Sequence, residues 1–103
     1  MGQSVARVGD HVEGFCDGPG HELHHPFIGT WTTGSGVSTA DGMQIVRVGD
    51  RGVTDCGHHI IAEGGSTIGT DQGIGLHRVG DSVIVEEGGT GTTTTGSGTF
   101  TSN

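Results

Sequence analysis

The sequence predicts an all-β fold in which three short β-hairpin repeats surround a pseudo-threefold axis and close into a compact, metal-stabilised cone. Three observations predict it. The tetrapeptide Arg-Val-Gly-Asp occurs three times, at 7–10, 47–50 and 78–81, and a Gly-Ser pair follows each copy, at 34–35, 65–66 and 96–97. Glycine fills 23 of 103 positions, and no apolar stripe at helical spacing survives its interruptions. Both cysteines and five of the seven histidines fall in two clusters that occupy the same place in the first two repeats, in a chain without Lys or Tyr.

A repeat at fixed period decides the architecture before any single element does. From each of the first two serines to the next Arg the distance is 12 residues, and from Arg to Ser the distances are 28, 19 and 19. The unit is therefore about 31 residues, with nine extra in the first copy, and the chain divides into repeats of about 7–46, 47–77 and 78–103 within one domain, 1–103. Between Ser and Arg, SGVSTADGMQIVR aligns with STIGTDQGIGLHR, placing Val37 with Ile68, Met43 with Ile74 and Ile45 with Leu76. Apolar residues two apart on either side of an Asp-Gly or Gln-Gly pair describe a short hairpin. Val46, Val48, Val79, Val83 and Val85 continue the strand-favouring chemistry, and the run Thr92–Thr95 aligns with strand rather than linker. Arg-Val-Gly-Asp itself reads as a corner. Its Gly permits a left-handed backbone, its Asp caps an Asx-type turn, and its Arg pairs with the Asp of its own or a neighbouring unit. The third copy stops six residues after Ser97, so its last hairpin is expected to be truncated.

Composition excludes several classes of function. Apolar residues make up 29% of the chain, against roughly 45–50% in ordinary domains, so a metal, a crosslink or a partner surface must add to a small core. Twelve acidic residues stand against four basic ones, for a net charge of −8, which disfavours nucleic acid and the anionic face of a membrane. No basic stretch followed by an apolar run opens the chain, and no segment reaches membrane-spanning length, so synthesis in the bacterial cytoplasm without a signal peptide is expected.

Repeated Arg-Val-Gly-Asp, a following Gly-Ser and a hairpin leading into the next Arg together resemble the PAAR-repeat family, over the whole chain. The stretch that names that family reads SVAR, QIVR and GLHR here, without its Pro. The resemblance implies a small cone on the tip of the trimeric β-helical spike of a contractile injection system, either a phage tail baseplate or a type VI secretion apparatus. It would be a structural part, one tip per spike trimer, that touches the target cell envelope transiently and takes no small-molecule substrate.

The first cluster, GFCDGPGHELHHPFIG, holds Cys16, His21, His24 and His25; the second, DCGHH, holds Cys56, His58 and His59. Thiolates and imidazoles brought together by the repeat suit one tetrahedral ion, with zinc ahead of iron. A Cys16–Cys56 disulfide and two unrelated buried thiols stay open as alternatives. The family resemblance implies an apical ion and, carried over residue by residue, points to Cys16, His21, Cys56 and His59, with His58 as the close substitute for His59 and His24 and His25 in reserve. Catalysis is not expected: Glu22 and Glu63 are present, but no His-Glu-x-x-His arrangement places either beside a metal. His11 and His77 read as hydrogen-bonded surface or strand residues.

Docking on the spike is expected to use Val37, Met43, Ile45, Ile68, Ile74, Leu76 and Phe100, each of which could instead be core. Two other readings are a small metal-dependent envelope hydrolase and an adaptor that carries effectors of a type VI secretion system. The length of the chain weighs against the first and the lack of an extension beyond the repeats against the second.

Overall fold

Each repeat folds as a long hairpin between Arg-Val-Gly-Asp and Gly-Ser, followed by a short one. The computed structural model describes residues 3–16, 25–55, 57–66, 69–71, 73–86, 88–98 and 100–102, and the backbone alone of His25. Twelve strands run in chain order as β1 (Gln3–Ser4), β2 (His11–Cys16), β3 (His25–Trp31), β4 (Thr39–Ala40), β5 (Met43–Gln44), β6 (Arg51–Thr54), β7 (His59–Ala62), β8 (Thr70–Asp71), β9 (Ile74–Gly75), β10 (Ser82–Val85), β11 (Gly89–Thr93) and β12 (Thr101–Ser102). No helix occurs among the described residues. The long hairpins β2–β3, β6–β7 and β10–β11 join edge to edge in the order β10-β11-β2-β3-β6-β7, and β7 pairs back onto β10. The result is a closed six-stranded antiparallel barrel, which leaves these strands no free edge.

Alternation along the strands fills this barrel. Val12 and Cys16, Phe27 and Trp31, Ile60 and Ala62, and Val83 and Val85 are buried in one cluster, while Glu13, Phe15, Ile28 and Val53 are exposed. So narrow an interior cannot hold a large side chain from every strand. In the 31-residue register Gly29, Ile60 and Gly91 are equivalent, as are Trp31, Ala62 and Thr93, and each set carries one large residue with smaller ones. A Cβ built on Gly29 would lie 2.9 Å from Ile60 Cδ1 and 3.2 Å from the Val53 carbonyl oxygen, so Ile60 occupies the room that Gly29 leaves. Gly29→Ala is therefore expected to destabilise the fold by about 1–3 kcal/mol through overpacking. In urea titrations Ile60→Val should recover part of that loss in the double variant; additive losses would show that the two positions do not share the space.

The short hairpins project from the opposite end of the barrel. β4 and β5 turn at Asp41-Gly42, whose φ values of 54° and 82° match the two-residue turn that Asp-Gly favours, and Gly73 repeats this between β8 and β9 at φ 82°. The third short hairpin is complete, contrary to expectation. β12 pairs antiparallel with β1, Gln3 opposite Ser102 and Ser4 opposite Thr101, so the residues before the first Arg-Val-Gly-Asp supply the missing strand. Between the hairpins and the barrel three backbone hydrogen bonds form a closed cycle: Ala6 N–H to the His77 carbonyl at 2.9 Å, His77 N–H to Val46 at 3.0 Å, and Val46 N–H back to Ala6 at 2.9 Å. Val5, Ala40, Ile45 and Leu76 pack beside this cycle as a second, smaller core.

The recurring motifs make the corners. In each Arg-Val-Gly-Asp the Asp N–H returns to the Arg carbonyl, a turn that needs positive φ at its third residue, and Gly9, Gly49 and Gly80 have φ of 98°, 92° and 90°. The Asp carboxylate accepts the Arg backbone N–H at 2.8, 2.8 and 2.9 Å and pairs with the Arg side chain. Each Gly-Ser serine accepts the N–H three residues on, from Ser38, Gly69 and Phe100 respectively. Val48 and Val79 belong to these corners rather than to strands, whereas Val83 and Val85 lie in β10. Thr92 and Thr93 end β11, and Thr94 and Thr95 leave it.

Candidate functional site

Register places Cys16, the start of β3, His58 and His59 at the same end of the barrel. β3 runs antiparallel to β6 with Gly29 opposite Thr54, so the start of β3 lies beside the end of β6. The end of β2, the start of β3, the end of β6 and the start of β7 therefore share that end. Cys16 is the last residue of β2, flanked by His25 on β3 and Gly89 on β11, and its side chain is fully buried with the inward-facing set. His58 and His59 differ in phase. His58 is half-buried, stands two residues before the buried Ile60, and donates its backbone N–H to Thr54 Oγ1 at 3.0 Å; His59 opens β7 on the exposed outer face. Sequence favoured His59, and strand phase favours His58.

His21 and Cys56, and with them the reserve His24, lie outside the described residues, as does the side chain of His25. Among the described residues no group of three or more His, Cys, Asp or Glu side chains is disposed to hold a metal ion. Of the donor set anticipated from sequence, the described part is thus the buried thiol of Cys16, the half-buried imidazole of His58 and the exposed imidazole of His59, all at this end of the barrel.

At the other end the docking candidates divide. Val37, Met43, Ile74 and Phe100 are exposed on or beside the short hairpins. Ile45 and Leu76 are buried in the small core and have almost no surface to offer a partner, while Ile68 lies outside the described residues. Charged groups tie the hairpins together. Asp71 accepts the Ser35 and Ser38 hydroxyls at 2.5 and 2.6 Å and lies 3.6 Å from an Arg47 guanidinium nitrogen. Those two hydroxyls, with Arg47 behind them, hold its carboxyl below the usual carboxylate range. Arg7 bridges Asp10 and Asp41, and Asp41 also accepts the Ser97 hydroxyl at 2.6 Å. Burial pushes Asp10 up, but hydrogen bonds from Arg7 and Thr95 outweigh it and hold the carboxyl low.

His77 carries the polar feature that sequence reading missed. It is fully buried at the base of the barrel, its ring edge-on to Trp31 with centroids 5.2 Å apart. Nδ1 is 2.6 Å from the Gly64 carbonyl oxygen and Nε2 is 2.6 Å from Thr93 Oγ1, which also accepts Trp31 Nε1–H at 3.0 Å. A carbonyl only accepts, so the proton sits on Nδ1. Burial favours the neutral ring, in which Nε2 accepts the Thr93 hydroxyl proton. Burial pushes its pKa down. The one sequence signal was its alignment with Ala6 and Val46, two small apolar residues in an otherwise repeated layer.

No family model matches the chain, and no curated protein matches it.

Proposed function

We propose that this protein is a structural spike-tip cap of PAAR-repeat type, which seats its short-hairpin end on a trimeric β-helical spike and sharpens that spike for piercing a target cell envelope. The observation that carries this reading is the closed Ala6–His77–Val46 hydrogen-bond cycle, made by the residue immediately before each Arg-Val-Gly-Asp. It supports a pseudo-threefold axis through the barrel, and a single chain with that symmetry offers three near-equivalent edges to three spike chains. Exposed Val37, Met43, Ile74 and Phe100 supply apolar contact at that end, and the barrel, being closed, suits force transmission. No reaction is needed. In this reading one tip serves each spike trimer, in a phage tail baseplate or another assembled injection apparatus, after synthesis in the bacterial cytoplasm.

The apical thiol supports a structural ion in the same reading. Cys16 lies in the barrel interior at the end of β2, and His58 stands just before β7 at the same end of the barrel, in the phase of the buried Ile60. Completed by Cys56 and His21, such a set would hold zinc, or less favourably iron, and would pin the turns of two repeats to each other. The ion would supply rigidity rather than catalysis.

Size-exclusion chromatography with a purified trimeric β-helical spike encoded beside this protein tests the docking. The expected product contains one tip per three spike chains. Val37→Asp with Ile74→Asp, both at exposed positions, should weaken it at least tenfold without altering the fold of the free tip. No association at tens of micromolar, or a complex indifferent to both substitutions, would refute the proposed seat.

A further inference from the structure

One outer wall of the barrel differs from what a smooth, polar spike tip requires. Across β2, β3 and the end of β6, Ile28 stands opposite Glu13 in the β2–β3 ladder, and the Asp55 N–H donates to the Ile28 carbonyl at 2.8 Å, so one row reads carboxylate, isoleucine, carboxylate. The next row towards the apex pairs Phe15 with Pro26. Phe15 and Ile28 are 47% and 55% exposed, and together these residues line a groove of about 470 Å³ floored by Gly14. Isolated surface apolar residues need no explanation, but a concave apolar strip framed by two acids is a recognition feature.

Among the described residues no Arg balances the charge on this wall. The chain has four cationic side chains apart from histidine, all Arg, and each is engaged elsewhere: Arg7 with Asp10 and Asp41, Arg47 with Asp50 and Asp71, Arg51 with Glu86, and Arg78 with Asp81. Among the described residues no Arg lies beside Glu13 or Asp55, although Asp55 Oδ1 accepts the Ile28 N–H at 3.4 Å, so a cationic partner would complement this pair. A second copy brings a net charge of −8 and the same four engaged arginines, and anionic lipid or nucleic acid brings only more negative charge. Closure of the barrel removes strand edges here, so the contact is made by side chains and not by strand addition.

We propose that the Glu13–Phe15–Ile28–Asp55 wall binds an extended segment of a partner protein in which an apolar side chain is flanked by Lys or Arg. The apolar group fills the groove between Phe15, Pro26 and Ile28, and the flanking cations meet Glu13 and Asp55. This is a lateral contact, separate from the short-hairpin end, so it stands or falls independently of docking on a spike.

The test uses the full-length protein and a capped octapeptide alternating Lys or Arg with Leu and Phe, with its Glu-substituted counterpart as control. Backbone amide shifts are expected to move, saturably, at residues 13–15, 27, 28 and 55, for the cationic peptide alone. Ile28→Thr, checked for fold by circular dichroism, and the double variant Glu13→Gln/Asp55→Asn should each weaken binding about threefold to tenfold, as fits exposed contacts. The double variant changes no buried group, so it reads the site even if Ile28→Thr perturbs the strand. The proposal is overturned by shifts centred elsewhere, by no saturation at millimolar peptide, or by equal binding of the acidic peptide. It is equally overturned if the same residues respond instead to zwitterionic vesicles or to self-association of the protein.

Discussion

Thr93→Val is expected to lower stability by about 2–5 kcal/mol, although it changes neither volume nor strand propensity much. The Thr93 hydroxyl links two buried groups, accepting Trp31 Nε1–H and donating to the neutral His77 ring at Nε2. Removing it leaves both without that partner, and each unsatisfied buried group costs about 1–3 kcal/mol. For a domain of this size the melting temperature should fall by roughly 10–30 °C. The same geometry makes the fold acid-sensitive. Folded His77 is neutral and its pKa is depressed by burial, whereas the unfolded residue takes up a proton below its ordinary value of 6.5. Its contribution is therefore complete above about pH 6.5 and is lost as pH falls from there towards the folded pKa, by up to about 1.4 kcal/mol per pH unit. Asp10 and Asp71 have lowered pKa values, so their contributions persist above the carboxylate range and fade only below about pH 4. Chemical denaturation between pH 7 and 4.5 should show a slope in the native protein that His77→Gln flattens. Parallel curves for the two would mean that His77 titrates alike in folded and unfolded chains.

The corners and the short hairpins were legible because their chemistry is local. Positive φ at Gly9, Gly49 and Gly80, the Arg–Asp pairs and the Asp41-Gly42 turn follow from residue types at fixed spacing. The barrel was less legible, for a reason that lies in its radius. Inward positions on its strands include Gly14, Gly29, Gly52 and Gly91, so the apolar alternation that marks a strand is broken where the interior is narrowest. Closure of the third short hairpin by β1 joins residues at opposite ends of the chain, and no local pattern signals a pairing of Gln3 with Ser102. Burial of His77 was hidden similarly, since its partners Gly64 and Thr93 come from two different hairpins. For the apical residues sequence supplied the donor types but not the phase, which needed Ile60 and Ala62 as reference points on β7. At the base, spacing alone put Ile45 and Leu76 with Met43 and Ile74. Residues two apart share a face of a continuous strand, but β5 and β9 end at Gln44 and Gly75; Ile45 and Leu76 bridge instead to Arg7 and Arg47 and enter the small core, while Met43 and Ile74 stay at the surface.

Removal of the proposed apical ion is expected to produce the largest loss of all. A structural zinc bound by thiolates and imidazoles contributes about 10–16 kcal/mol in small metal domains, as much as or more than the roughly 5–15 kcal/mol that holds a typical domain folded. A chain with 29% apolar residues and 23 glycines has little in reserve, so EDTA should lower the melting temperature by at least about 20 °C in step with loss of metal by elemental analysis. Cys16→Ser should reproduce the effect without chelator. Its thiol sits inside the barrel, where serine keeps the size and loses the soft ligand. The two neighbouring histidines separate ligand from bystander: His58→Ala should abolish stoichiometric metal, whereas His59→Ala, on the exposed face of β7, should retain it. An unchanged melting temperature after complete metal removal would refute the structural ion, and metal loss confined to His59→Ala would mean that the turn departs from the strand phase on which the assignment of His58 rests.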